Sequence, residues 1–418
     1  MPRFSKPIYS FLFLILFSFS FDGEASIRVG VGKADLTPPL GTPSAGYENR
    51  KTGMEGTHDP LLVTAMVIDN GEKMIAFCGV DHLGFTYEMA QEVMKKVHQH
   101  PKLANCEIYI GSSHTHSGGG AFLNIPIVGE LLAGPYNPEI TQFYINQAVK
   151  AIIIAGTSLQ PAQMGIGYGQ VEGLSMYRGS WPKDVKPLTE IAVIKAVKAD
   201  GSPLAVLFNF PVHPTVLTQD NLLFSADFVG YTRDYLKTFI GEGVEPIYFN
   251  GAQGDIIPNF PKGGDRFSLS DQFGKKLAEK TAEIWRKTKT EDKVEIATYK
   301  DSYAFKPLAT PAGLQLPIES YKSELNLIVF NKRDAFITIP GELSCLYDAQ
   351  FKAKGKEEGF KHVSILGLVN DAHGYIILPE SWRQKTYESN LSFGGELYGQ
   401  TVAEKVFQLM LQSQKKAQ

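Results

Sequence analysis

"CEIYIGSSHTHSGGG", Cys106 to Gly120, is the stretch from which the fold is read. Its front half, "EIYIGSS", is a short apolar run of strand type. It hands over to two histidines one residue apart, His114 and His116, and then to three glycines. Histidines at i and i+2 on an extended segment point the same way, with Cα atoms about 6–7 Å apart. Both could bind one metal, or one could bind while the other serves the reaction. Imidazole, carboxylate and water suit zinc. A phosphate cradle is disfavoured, because no Lys follows the glycines and no GxxxxGK[ST] is present.

The same handover recurs along the chain. "LAVLFNF" runs into "PVHPT" with His213, and "PIYFN" into "GAQGDIIPN" with Asp255 and Asn259. "AFITI" runs into "PGELS" with Glu342, and "VSILGL" into "VNDAHGYI" with Asn370, His373 and Tyr375. "LLVTAMVID" and "KMIAFCGVD" are further strands of buried type. Helical spacing appears over 87–100, 140–156, 229–241, 271–288 and 395–412. Alternation of this kind predicts an α/β fold with a largely buried sheet. In open α/β sheets, sites gather beyond the carboxyl ends of strands. The expectation is a metal site built from loops at strand ends.

Bulk properties bound the answer. At 43% hydrophobic and 20% charged residues the composition is that of a globular protein, and a net charge of -3 leaves no basic footprint for nucleic acid. Cys78, Cys106 and Cys345 lack paired spacing, which excludes a Cys-rich zinc module and leaves buried free thiols as the expectation. Arg3 and Lys6 followed by the apolar "IYSFLFLILFSFSF" and small residues Gly23 and Ala25 read as a signal peptide over residues 1–25. A retained N-terminal anchor is the rival reading. Residues 26–418 are then expected to form a single catalytic domain, exported to the periplasm or beyond the cell.

The residues match a family. "SSHTHSGGG" resembles the "THTHSGPGG" block of the neutral (alkaline, non-lysosomal) ceramidases. "VGVGKADLTPPLG" followed by "AGY", with Gly46 and Tyr47, is similar to their amino-terminal entry. "GTHDPLLVTAMVI", "FNFPVHPTV", "SADFVGY", "GAQGDIIPN", "IPGELS" and "GLVNDAHGYIILPESWRQKTYES" follow in family order and keep His58, His213 and Asp227. The resemblance implies a zinc amidohydrolase fold of mixed β-sheets surrounded by helices. It also implies zinc ligands at His114, His213, Glu342 and Tyr375, and an arginine beside the substrate at Arg178, in "LSMYRGS". Two departures stand out: Ile257 occupies the place of the family serine in "GDVSPN", and Ala372 the place of the first tyrosine of "NxYxxY". At this length the family's carboxyl-terminal β-sandwich is not expected.

Without the serine, the expected reaction is amide hydrolysis of N-acylsphingosine or another N-acyl lipid by zinc-activated water. His116 is the candidate proton carrier. Arg178 or His373 is the candidate partner of the developing oxyanion, and Asp255 and Asp227 are expected to orient histidines or brace loops. The expected partners are a small-molecule or lipid substrate, with contact to a membrane surface. An ester, lactone or glycan-derived substrate is the alternative, as is a non-catalytic exported binding protein. An apolar groove leading to the metal would favour the lipid, and a small polar pocket the ester-type substrate.

Overall fold

The computed structural model describes residues 27–50, 52–261 and 263–415. The amino-terminal stretch read as a signal peptide lies outside the described residues. Eight strands form one mixed sheet. Across it they run Glu245–Phe249, Pro203–Asn209, Glu190–Lys198, Gln160–Gln170, Arg28–Asp35, Leu62–Asp69, Met74–Val80 and Glu107–Ser112. Each edge is a parallel pair, and the interior pairs are antiparallel.

Period-2 patterning explains how the sheet is covered. Val63, Ala65 and Val67 face the helices Tyr87–Val97 and Pro138–Thr157. Met66 and Ile68 turn to the opposite side, where they join a second cluster with Phe77, Leu207 and Phe249. In the other half of the sheet Val206, Phe208 and Tyr248 pack on the helices Phe228–Ile240 and Arg266–Lys287, while Leu207 and Ile247 turn to the shared cluster. The sheet is therefore folded over so that its halves face each other, with helices on both outer sides. Strands buried on both faces read as continuous apolar runs, as they do here.

A second, four-stranded sheet orders Ile296–Phe305, Tyr321–Phe330, Asp334–Thr338 and His362–Leu366, the last pair parallel. The helices Asp348–Glu357 and Tyr398–Lys415 cover one face through Phe351, Val402 and Val406. The other face puts Ile328, Phe330 and Phe336 into the shared cluster. The two sheets are also joined at main-chain level. Ser112 N–H donates to Leu368 O (3.2 Å), and the Asn370 side chain accepts from Ile110 N–H (2.8 Å) and donates to Ile108 O (3.0 Å). Asn370 thus stands in for a strand neighbour along the edge strand Glu107–Ser112. Cys78, Cys106 and Cys345 are buried and free. No helix among the described residues is long and apolar enough to cross a membrane.

Candidate metal centre

Four loops converge where strands of both sheets end. His114 follows Glu107–Ser112, and His213 follows Pro203–Asn209. Glu342 and Tyr375 face each other in register on two short parallel strands beyond the second sheet. Asn250, fully buried, ties these loops: its amide donates to Ser113 O and Val212 O (both 3.0 Å), and its oxygen accepts from Val212 N–H (3.2 Å) and Gly251 N–H (2.9 Å). Sequence reading quoted this asparagine only as the end of a strand. An amide whose bonds are all internal was its role, and nothing in the stretch signals that.

The hydrogen bonds fix the tautomers. Nδ1 of His114 lies 2.7 Å from Leu83 O, and Nδ1 of His213 lies 3.0 Å from Ile256 O. A carbonyl only accepts, so each Nδ1 carries the hydrogen and each Nε2 of the neutral ring is a bare lone pair. Both Nε2 atoms point at one oxygen, Glu342 Oε2, at 3.1 and 3.0 Å. His213 is pushed down to about 4, by burial first and then by Arg178, so its ring is neutral at pH 7. Burial works to raise the Glu342 carboxyl, and it is brought well below the usual carboxylate range only by positive charge and N–H donation at His114 and His213, which neutral rings with bare Nε2 atoms do not supply. Lone pairs and an anion at 3 Å repel in a buried site unless a cation lies among them.

His116 completes the cluster. Its ring centroid lies 5.0 Å from that of His114 and 6.0 Å from that of His213, and the ligand atoms of the three histidines all lie within 4.8 Å of one another. Both His116 ring nitrogens are sealed from solvent without a hydrogen-bond partner, although the residue as a whole is half-buried. Burial first, then the neighbouring His114 and His213, hold its pKa well below 6.5. Gly46 makes room for this ring: it sits at φ +101°, and a Cβ there would overlap His116 Nδ1. His114 itself has φ +72°, a left-handed backbone for a non-glycine residue. Such conformations cost roughly 1–3 kcal/mol and gather at functional sites. The donor set, two bare imidazole nitrogens and a carboxylate with a third imidazole alongside, fits a zinc-type ion.

The remaining candidates separate. Arg178 belongs to the site: Nη2 donates to Tyr375 Oη (2.8 Å) and Gly254 O (2.7 Å), and Nε to Glu388 (3.0 Å). Burial opposes its charge, but Tyr375, Glu388 and Glu342 outweigh that and raise its pKa. The guanidinium favours negative charge on the Tyr375 oxygen, but burial outweighs it and raises the phenol well above its ordinary range. Glu388, its buried partner, was not singled out in the sequence. His373 is placed differently from the role at the oxyanion that its position suggested. Asp255 accepts from Ser344 Oγ and, at 2.8 Å, from Cys345 N–H, which braces the turn after Glu342. Both His373 nitrogens are taken, Nδ1 by Asp371 at 3.2 Å and Nε2 by Tyr398 Oη at 2.7 Å. Neither nitrogen is left to polarise a carbonyl. Asp227 caps the helix Phe228–Ile240, accepting from Phe228 N–H at 2.6 Å and Leu217 N–H at 2.8 Å. Ile257 pairs with Met176 in a short antiparallel ladder and offers no hydroxyl.

A cavity of about 440 Å³ ends on His114 and Glu342. Its walls are mainly apolar, with Leu83, Phe122, Ile125, Leu316, Leu391 and Phe393 among them. Residues 27–261 match the family described as neutral/alkaline non-lysosomal ceramidase, N-terminal. The chain belongs to that family. Neutral ceramidase B of Dictyostelium discoideum is 25% identical over 57% of this chain and 36% of its own length. Neutral ceramidase of Pseudomonas aeruginosa is 24% identical over 56% of this chain and 37% of its own. The chain spans little more than a third of the length of these curated relatives in the matched region. The crystal structure of the Pseudomonas aeruginosa neutral ceramidase superposes with a TM-score of 0.85 at 17% identity, over 94% of this chain and 75% of that one. A structure titled "Ceramidase complexed with C2" gives 0.83 at 16% identity, over 94% and 76%. The neutral ceramidase fold is thus present here, in a chain whose mixed sheets and flanking helices build a site fit for a metal.

Proposed function

We propose that this ceramidase-family chain is a zinc-dependent hydrolase of the amide bond in an N-acyl lipid, ceramide or a close analogue. The observation that carries the reading is the apolar cavity whose lining includes His114 and Glu342 of the donor cluster. An alkyl chain lying in it brings its carbonyl beside His114 and Glu342. A small polar pocket, which an ester or glycan-derived substrate would call for, is not what this cavity offers.

His114, His213, Glu342 and Tyr375 would hold the ion, which when bound supplies a Lewis acid for the carbonyl and lowers the pKa of water toward 7. His116, neutral and with both nitrogens unpartnered, takes the proton of the attacking water and delivers it to the leaving amine. Arg178, fixed by Glu388 and Gly254 O, holds the Tyr375 oxygen and presents positive charge to the developing oxyanion. Asp255 and His373 act by holding the loops on which these groups stand.

The rim of the cavity supports encounter with a lipid surface. Tyr136 and Ile318 line the cavity and are exposed, and Ile127, 78% exposed, directly precedes the lining residue Val128. Residues 117–129 and 307–318, which supply much of the cavity wall, contain no charged side chain. Export by the amino-terminal segment would bring the site to such surfaces. The test is release of fatty acid from fluorogenic N-acylsphingosine beside simple esters, with metal analysis and a chelator arm. Amide cleavage should vanish on chelation and return with zinc. A zinc-free protein whose activity survives His114→Ala would sink the reading.

A further inference from the structure

We propose that Gly84 and Ala372 open the metal-proximal end of the cavity to acyl groups that are branched next to the carbonyl. The inference rests on the N-acyl lipid reading above and names the acyl class that site prefers. Both residues line the cavity. Both are also one or two residues from the main-chain groups that place the donors. Leu83 O, which receives His114 Nδ1–H, directly precedes Gly84. Gly374 O, which receives Glu342 N–H at 2.9 Å, lies two residues beyond Ala372. The wall at positions 84 and 372 therefore stands where the carbonyl and its first carbons must lie.

That wall carries a single methyl group. The two residues pack directly, since a Cβ built on Gly84 would overlap Ala372 Cβ. Ala372 is only half-buried, between the buried Asp371 and His373. Elsewhere the lining includes large side chains such as Phe122, Leu123, Leu316 and Phe393. The wall cannot swing inward to fill the gap. Asp371 accepts from Tyr321 Oη (2.8 Å), Ser323 Oγ (2.7 Å) and Ala372 N–H (2.8 Å), and His373 is bonded at both nitrogens. Rigid, small-residue space beside the reacting bond controls width at the α- and β-carbons rather than chain length. A group placed there by mutation would meet a branched chain and pass a linear one.

The test compares N-hexadecanoyl- and N-(2-methylhexadecanoyl)sphingosine as substrates of the wild type, Ala372→Leu and Ala372→Gly. A second readout is displacement of a fluorescent fatty acid by hexadecanoic or 2-methylhexadecanoic acid. The wild type should turn over both amides within severalfold. Ala372→Leu should lower turnover of the branched amide by about tenfold or more relative to the linear one, the discrimination a methyl-sized change in an apolar pocket gives. Ala372→Gly should shift the ratio the other way. Displacement should follow the same order. The inference is overturned if Ala372→Leu weakens both acyl classes equally in displacement, or if the wild type itself rejects the branched acid. If the wild type cleaves neither amide, the N-acyl lipid reading falls, and displacement alone decides whether the opening has been correctly placed.

Discussion

Two buried histidine–carboxylate clusters can be set side by side. One joins His373 to Asp371 and Tyr398, and the other joins His114 and His213 to Glu342. The residue types are nearly the same, and the hydrogen-bond accounts are opposite. Around His373 every donor meets an acceptor: Asp371 collects hydroxyls from Tyr321 and Ser323, and Tyr398 continues to Tyr303 at 2.9 Å. Around Glu342 two lone pairs face an anion, and His116 meets no partner. Burial of a histidine is therefore no guide to its role in this molecule. The guide is whether its hydrogen bonds close on themselves.

The contrast can be broken most severely at the open cluster. His213→Ala should leave the protein without stoichiometric zinc and reduce amide hydrolysis to background, measured by metal analysis and fatty-acid release. His116→Ala should retain zinc and lower kcat by roughly 10²–10⁴-fold, the usual contribution of a proton-transferring group. Arg178→Ala should cost about 10²–10³-fold, as loss of one stabilising donor does. Zinc binding should weaken as well, because Tyr375 loses its guanidinium. At the closed cluster the effect should move from activity to stability. His373→Phe leaves Asp371 and Tyr398 short of a partner and should cost about 1–3 kcal/mol in denaturant unfolding, with zinc content unchanged. A His373→Phe protein that folds normally but has lost its metal would erase the distinction between the clusters.

Much of this arrangement is legible in the sequence, because it lies in strand-end handovers. The strands before His114, His213, Glu342 and His373 lie within a residue or two of where apolar runs place them. The helix starting at Arg266 begins five residues before its predicted start, because Asp265 caps it through Ser268 N–H. Gln160–Gln170 escaped notice for a physical reason. Gly165, Gly167 and Gly169 alternate along it, a poor strand signal, and they are there because Thr288, Lys289 and Ile284 press on that face. The long strands Ile296–Phe305 and Tyr321–Phe330 were missed as well. Ile296–Phe305 alternates half-buried and exposed residues and shows no apolar run. For the site, residue type alone put His373 beside the reaction. Only its partners, Asp371 two residues before it and Tyr398 from the closing helix, show that both its nitrogens are taken.

The four proposed ligands are divided between the two sheets, and this has a consequence for the life of the protein. His114 and His213 hang from one sheet, Glu342 and Tyr375 from the other, and the seam between them is the Phe77, Phe249, Phe330 and Phe336 cluster. An ion gripped from both sides acts as a clasp on that seam. Its binding energy is returned as resistance to the sheets parting, by about 2.7 kcal/mol when free metal stands a hundredfold above its Kd. Loading and maturation would then be one event. A freshly folded chain would breathe at the seam until metal arrived, and amide protons along Glu107–Ser112 would exchange more slowly afterwards.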